Sequence, residues 1–407
     1  MPFDPVSFRG LFPALAMRMG GRPAAFFDGP GGSQVPESVI AAQRDYYVSR
    51  NANTHGQFAT SRLADETVAA ARAAAAALLG AEGPKTISFG QNMTTLNFAL
   101  ARAIGLTLQP GDEIVVTDLD HDANVAPWLS LEERGLVVRS CPVRLDTCTL
   151  DMDAMRAMIG QRTRHVAVGY ASNAVGTVND VGEIVRLAHA VGATVSIDAV
   201  HFAPHGLIDV QALAPDFLLC SAYKFFGPHV GVLYSRPGAL DRLPTDRVRP
   251  QDPAAPTRIE TGTLNHAALA GTTAAIEAIA AQGEGSSLRE RIASAFTAIY
   301  PYEHGLAGRL WQGLAAIPGV TLYGPPVGDA LRAPTVSFRL AGREPAAVAA
   351  RLGEKGFFVW DGDFYAVTLV QRLGLFDRGG VVRVGMAPYI LGGEVDDLLE
   401  AVRAIQA

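Results

Sequence analysis

From about residue 65 to 236 the chain alternates two hydrophobic patterns. Short, continuous apolar runs predict strands buried on both faces: KTISFG (85–90), EIVVTDLD (113–120), VVRSCPV, HVAVGYAS (165–172), TVSIDAV (194–200), DFLLCSAY (216–223) and GVLYSR (231–236). Between them lie stretches of helical composition: ETVAAARAAAAALLGA (66–81), MTTLNFALARAIGL (93–106), NVAPWLSLEERG, MDAMRAMI and VGEIVRLAHAVG. This alternation predicts one open α/β domain, a mostly parallel seven-stranded sheet covered on both faces. The last two strands are joined only by a short Gly-Pro loop, so one of them is expected to run antiparallel.

After Pro237 the pattern changes. PGALDRLPTDRVRPQDPAAPTR is proline-rich and charged, and reads as a loop. Two long helical stretches follow, GTTAAIEAIAAQ and LRERIASAFTAIYPYEHGLAGRLWQGLAAI. Then VTLYG, TVSFRL, FFVWDG and VVRVGM read as strands among the helices PAAVAARLGEKG and EVDDLLEAVRAIQ. The expected organisation is an N-terminal segment (1–30) packing with the smaller domain, a large domain (31–286) and a C-terminal α+β domain (287–407).

Composition narrows the function classes. Hydrophobic residues make up 49% and charged residues 18% of the 407, which excludes a disordered chain. A net charge of -6 gives no footprint for nucleic acid or anionic lipid. No apolar run approaches the roughly 18 residues of a membrane span, and the proline-broken N-terminus does not read as a signal peptide. Three scattered cysteines, Cys141, Cys148 and Cys220, without a C-x-x-C, form no disulfide framework and fit the cytoplasm. The phosphate-loop, H-E-x-x-H and G-x-S-x-G motifs are absent, and no metal site is expected.

The candidate chemistry sits at strand ends, where doubly wound sheets bind ligands. His121, Asn173, Asp198 and Lys224 each end a predicted strand, and GQNMTT follows another and opens a helix. Alone, the aspartate would be a cap, the histidine structural and the lysine solvated; together on one rim they suit pyridoxal 5'-phosphate. Lys224 supplies an amine for a Schiff base, made nucleophilic by partial burial. Asp198 can keep the pyridine nitrogen protonated. Asn92, Met93 and Thr94 at a helix start, with the Ser221 hydroxyl, offer a phosphate cradle. His121 can stack on the ring. Arg383 can take a substrate carboxylate bidentately.

These residues resemble the cysteine desulfurase-like branch of the class V aminotransferase-like enzymes of fold type I. The likeness rests on SAYKFFGPHVGVLY, DLDHDANVAPW, YASNAVGT, SIDAVHFAPH, RIETGTLN and VVRVGMAPYILGGEVDDLLEAV. The resemblance implies an internal aldimine on Lys224, then an external aldimine with an amino acid and removal of its α-proton by Lys224. It implies that Asn173 and His201 contact the cofactor ring, with His201 standing where the family usually has Gln. Tyr223 stands where the family has a phosphate-binding His. Thr263 would reach the phosphate of the other subunit, which implies a homodimer with shared active sites, and His55 matches a family position near the substrate. In cysteine desulfurases a small-domain cysteine takes the sulfur; here Tyr365 falls about there, with Asp361 and Asp363 lining the site. Desulfuration, elimination as in a C–S lyase, epimerisation and transamination of an amino acid therefore all stay open, as does a non-catalytic scaffold.

Overall fold

A computed structural model describes residues 3–328 and 331–406. Seven strands form the central sheet: β1 (Ile87–Gly90), β2 (Glu113–Thr117), β3 (Val137–Cys141), β4 (Thr163–Gly169), β5 (Thr194–Asp198), β6 (Phe217–Ser221) and β7 (Gly231–Ser235). Their order across the sheet is β1-β7-β6-β5-β4-β2-β3. The strands from β6 to β3 pair in parallel, and β7 runs antiparallel to both of its neighbours. β1 therefore points the same way as the parallel strands. The carboxyl ends of β1, β2, β4, β5 and β6 share one edge, which is where an open α/β sheet leaves its crevice.

Continuous apolar runs make these strands because helices cover both faces. Every residue of β2, β6 and β7 is buried. Ala59–Leu79 is rich in the best helix former and ends on Gly80 in the left-handed conformation (φ +67°). Met93–Gly105 begins where Asn92 caps it, accepting from the Thr95 N–H at 2.9 Å. The stretch 124–135, expected as helical, is instead broken: the four-residue helix Ala126–Leu129 lies between short 3₁₀ turns at Asp122–Asn124 and Ser130–Arg134. Pro127 has no N–H to bond back into a preceding turn, so the helix restarts there.

A second sheet follows, built from β8 (Val320–Tyr323), β9 (Thr335–Leu340), β10 (Trp360–Gly362) and β11 (Val381–Gly385) in the antiparallel order β8-β9-β11-β10. The 28-residue helix Leu288–Ala315, opened by a Ser287/Glu290 capping box, leads into it. The N-terminal strand Ala25–Phe26 pairs with Phe357–Phe358 beside this sheet. The 173–176 loop after β4 is tied to the same unit. The Ala333 N–H donates to the Gly176 carbonyl at 2.9 Å, and buried Arg332 reaches the Val175 carbonyl at 2.9 Å. These bonds fix where β11 stands relative to the crevice.

Candidate active site

A cleft opens at the shared carboxyl edge. It is lined by Met93 and Thr94 after β1, His121 after β2, Asn173 after β4, Asp198 and His201 after β5, and Ser221, Tyr223 and Lys224 after β6. Nine expected site residues thus meet in one place, drawn from five loops that the sheet order makes neighbours.

Lys224 closes a 3₁₀ turn that follows β6, held down by buried Phe225 and Phe226. Its Nζ donates to the carbonyls of Pro30 and Gly31, the latter at 3.0 Å, and lies 4.9 Å from the Tyr223 ring centre. Burial and the nearby Arg383 charge lower its pKa to about 7, against the opposing pull of Asp198 and Asp28. A large fraction of this lysine is therefore neutral, and nucleophilic, at physiological pH.

Asp198 is buried, and its Oδ1 accepts from the Val200 N–H at 2.9 Å. Burial raises its pKa to about 6. Because the folded value lies above the ordinary 3.8, holding the carboxylate ionised costs stability that grows as pH rises from about 4 to 6 and stays constant above. Asp198→Asn should accordingly raise the melting temperature of the cofactor-free protein at pH 8, by ~1–3 kcal/mol of stability, with the gain vanishing near pH 4. Thermal scans at the two pH values check this; an unchanged or lowered stability at pH 8 would show that the carboxylate is not under strain.

His121 accepts from the Ala123 N–H on Nδ1 at 3.0 Å, which leaves Nε2 as the protonated nitrogen of the neutral ring. Burial, with the Lys224 and Arg383 charges, lowers its pKa to about 4. The Met93 N–H donates to Ser221 Oγ at 2.9 Å, which joins the helix N-terminus to the lysine-bearing loop. The helix end seats this close because residue 231 is glycine; a Cβ there would lie 2.4 Å from the Asn92 carbonyl carbon. His201 shares a 3.0 Å hydrogen bond with Thr335 Oγ1 on β9, and behind it His205 meets buried Glu303 at 3.0 Å.

Arg383, on the central strand β11, is 3% exposed. Its Nη1 donates to the Asn173 carbonyl at 3.2 Å, its Nε is buried without a partner, and its guanidinium lies 4.1 Å over the Phe364 ring. No carboxylate stands within ion-pair distance of it among the described residues. Burial lowers its pKa to about 9, so it is still a cation at pH 7. Asn173 Oδ1 is likewise buried and unpartnered. Tyr365 does not line the cleft wall but stacks on His121 at its mouth, ring centres 5.3 Å apart.

Asn92, Thr263, His55 and Asp361 stand elsewhere in this chain. Asn92 and Thr263 line a separate surface cleft on the far side of the same helix start. Exposed His55 lies against Asp65 at 3.2 Å, and Asp361 sits on β10 away from the lining. Asp28, Asp120 and Phe364 are not among the residues expected from the sequence. Asp120 is buried, accepts from Asn124 at 2.8 Å and from the Gly169 N–H at 2.9 Å, and its pKa is raised to about 7 by burial. Its one available signal was its place beside His121 at the end of β2.

The donor set suits pyridoxal phosphate. An amine of lowered pKa faces a buried carboxylate, a helix N-terminus with a hydroxyl stands on the same cleft, and two orphaned polar atoms await a partner. Fold and site together define a pyridoxal-phosphate enzyme of fold type I. The chain belongs to the class-V aminotransferase family, whose pattern matches residues 25–398. It is 35% identical to a probable cysteine desulfurase of Mycolicibacterium paratuberculosis over 99% of this chain, and spans 58% of that protein's length. It is 32% identical to a cysteine desulfurase of Dickeya dadantii over 99% of this chain and 97% of that one. Among solved structures, the cysteine desulfurase CsdA of Escherichia coli superposes with a TM-score of 0.84 at 29% identity, over 99% of both chains.

Proposed function

We propose that this enzyme binds an α-amino acid through Arg383, withdraws its α-proton with Lys224, and has no thiol of its own for taking up sulfur. The observation that carries the reading is an amine of lowered pKa in the cleft, with the charge of Arg383, a buried arginine that has no carboxylate partner among the described residues, close enough to help lower it; Arg383 lies behind the cleft lining, bonded to the carbonyl of the lining residue Asn173. Bound pyridoxal phosphate supplies an electron-withdrawing ring that stabilises charge left at the substrate Cα. Asp198 would hold that ring's nitrogen proton, Met93, Thr94 and Ser221 its phosphate, and His121 its face. Asn173 and His201 would contact its edge. Arg383 offers its free donors to the substrate carboxylate and so points the Cα–H at Lys224, whose neutral amine accepts the proton.

The relatives carry the name cysteine desulfurase, and cysteine is the substrate to try first. The three thiols here are free but buried, at 0%, 1% and 0% exposed for Cys141, Cys148 and Cys220. Burial pushes the Cys141 thiol up to about 12 and raises the Cys220 thiol too. Such groups are not thiolates at neutral pH and cannot attack a substrate sulfur. With L-cysteine, the bound cofactor's absorption should shift, and sulfide with alanine should appear only when an external dithiol is added to carry the sulfur away. Mass spectrometry should find no sulfur added to any of the three cysteines. A persulfide on one of them would overturn this reading.

Free thiols also fit a reducing compartment, which supports a cytoplasmic location; among the described residues no helix is long and apolar enough to cross a membrane. Thr263, exposed and outside the cleft, supports a homodimer in which it serves the partner's site. Ile40, Tyr47, Val48 and Phe58, between 45% and 77% exposed, are apolar surface for such a contact. Sedimentation of a monomer that keeps its cofactor and activity would contradict the dimer.

A further inference from the structure

Phe364 and Tyr365 both sit in the left-handed region, at φ +57° and +59°. Two consecutive bulky residues there are strained, and such strain persists only where surroundings over-determine it. Here they do. Asp363 Oδ1 accepts from the Tyr365 N–H at 2.8 Å. Asn173 Nδ2 donates to the Phe364 carbonyl at 2.9 Å, and the Asp122 N–H donates to the Tyr365 carbonyl at 2.7 Å. The helix that follows, Val367–Arg372, is tied to the large sheet by Arg372 Nε on buried Asp118 at 2.9 Å. Both strained carbonyls are therefore held by groups at the carboxyl edge of the central sheet.

This conformation turns the Phe364 ring under the Arg383 guanidinium. Among the described residues that guanidinium has one hydrogen bond, from Nη1 to the Asn173 carbonyl, and the residue accepting that bond is the one that grips Phe364. Resting on the proposed function above, we propose that Phe364 is a positioning residue for the substrate carboxylate: it holds Arg383 flat on its ring face beside the cleft-lining Asn173, so that the remaining donors stay available for that carboxylate. An aromatic face restrains the cation without consuming its N–H groups, which a carboxylate partner would do. The left-handed pair is what brings the ring to that place, and Tyr365 is the part of the pair that anchors it.

The test titrates the cofactor-loaded protein with L-alanine and with ethylamine, the same amine without the carboxylate, following visible absorption. Wild type should bind L-alanine far more tightly than ethylamine. Phe364→Ala should lose roughly 10-fold in L-alanine affinity, the scale of a desolvated cation–π contact, with ethylamine unchanged. Phe364→Leu keeps the bulk without the ring face and should behave alike, whereas Phe364→Tyr should restore the preference. If L-alanine and ethylamine weaken in equal proportion, or if Leu serves as well as Phe, the ring is only packing and the inference fails. If wild type itself shows no preference between the two ligands, the assignment of Arg383 fails first, and the inference with it.

Discussion

Replacing Lys224 with alanine is expected to abolish covalent capture of pyridoxal phosphate and to lower turnover roughly 10³-fold or more. Two losses combine in that figure, since in the proposed reaction the same nitrogen is both the anchoring nucleophile and the base for the substrate proton. The effect should not be structural. The Nζ hydrogen bonds go to two backbone carbonyls, of Pro30 and Gly31, and the loop is held instead by Phe225 and Phe226. Removing a desolvated cation also relieves the folded protein. The Lys224 pKa is depressed from 10.5 to about 7, so its ammonium is disfavoured on folding at every pH below about 10. The Lys224→Ala protein should thus be no less stable without cofactor than wild type, yet inactive. Addition of methylamine, which replaces the missing amine in solution, should recover part of the rate. A variant that keeps full activity would remove the lysine from the mechanism.

The second large effect concerns Arg383. Arg383→Ala should lower kcat/KM for an α-amino acid roughly 100- to 1,000-fold, about 3–4 kcal/mol, the range for losing one partner of a desolvated charge pair. Arg383→Lys keeps the charge but loses the planar fork, and should recover only part of the loss. The stability readout should move the other way. A guanidinium that is 3% exposed, with a partnerless Nε, is expensive to bury. Arg383→Met should leave the melting temperature of the cofactor-free protein unchanged or raised. A strong fall in both stability and activity would mean that Arg383 is a structural strut of β11 and not a substrate ligand.

Much of this architecture is legible in the amino-acid order, for an identifiable reason. Strands buried on both faces must be largely apolar, so six of the seven appear as runs, while the edge strand β3 is mostly accessible and mixes in polar residues; the short loop between β6 and β7 betrays the reversed strand. Residues that end those strands must share an edge, and so His121, Asn173, Asp198 and Lys224 could be grouped before any coordinates. The likeness to a known family supplied roles for them. Contacts between distant segments were not legible. The carbonyls that hold Lys224 lie about 190 residues away at Pro30 and Gly31, and nothing local marks them. The helix Glu37–Ser49 escaped because polar residues and two exposed tyrosine and valine side chains blur its apolar face, and no side chain caps it. Phe364 and Tyr365 carry no glycine or asparagine to signal a left-handed turn; tertiary hydrogen bonds impose it. Thr263 and His55, singled out by the family likeness alone, fall outside the cleft of this chain.

The most direct test of the account uses the chain's scarcity of lysine, which is limited to Lys85, Lys224 and Lys355. Lys85 and Lys355 are exposed, and neither lines the cleft. Protein loaded with pyridoxal phosphate should be reduced with borohydride, digested and mapped by mass spectrometry. The account predicts one pyridoxyl group per chain, on Lys224, with a capture rate that rises with pH through about 7 as the amine loses its proton. Label on Lys85 or Lys355, or label spread over all three lysines at a rate climbing only near the ordinary lysine pKa, would contradict it.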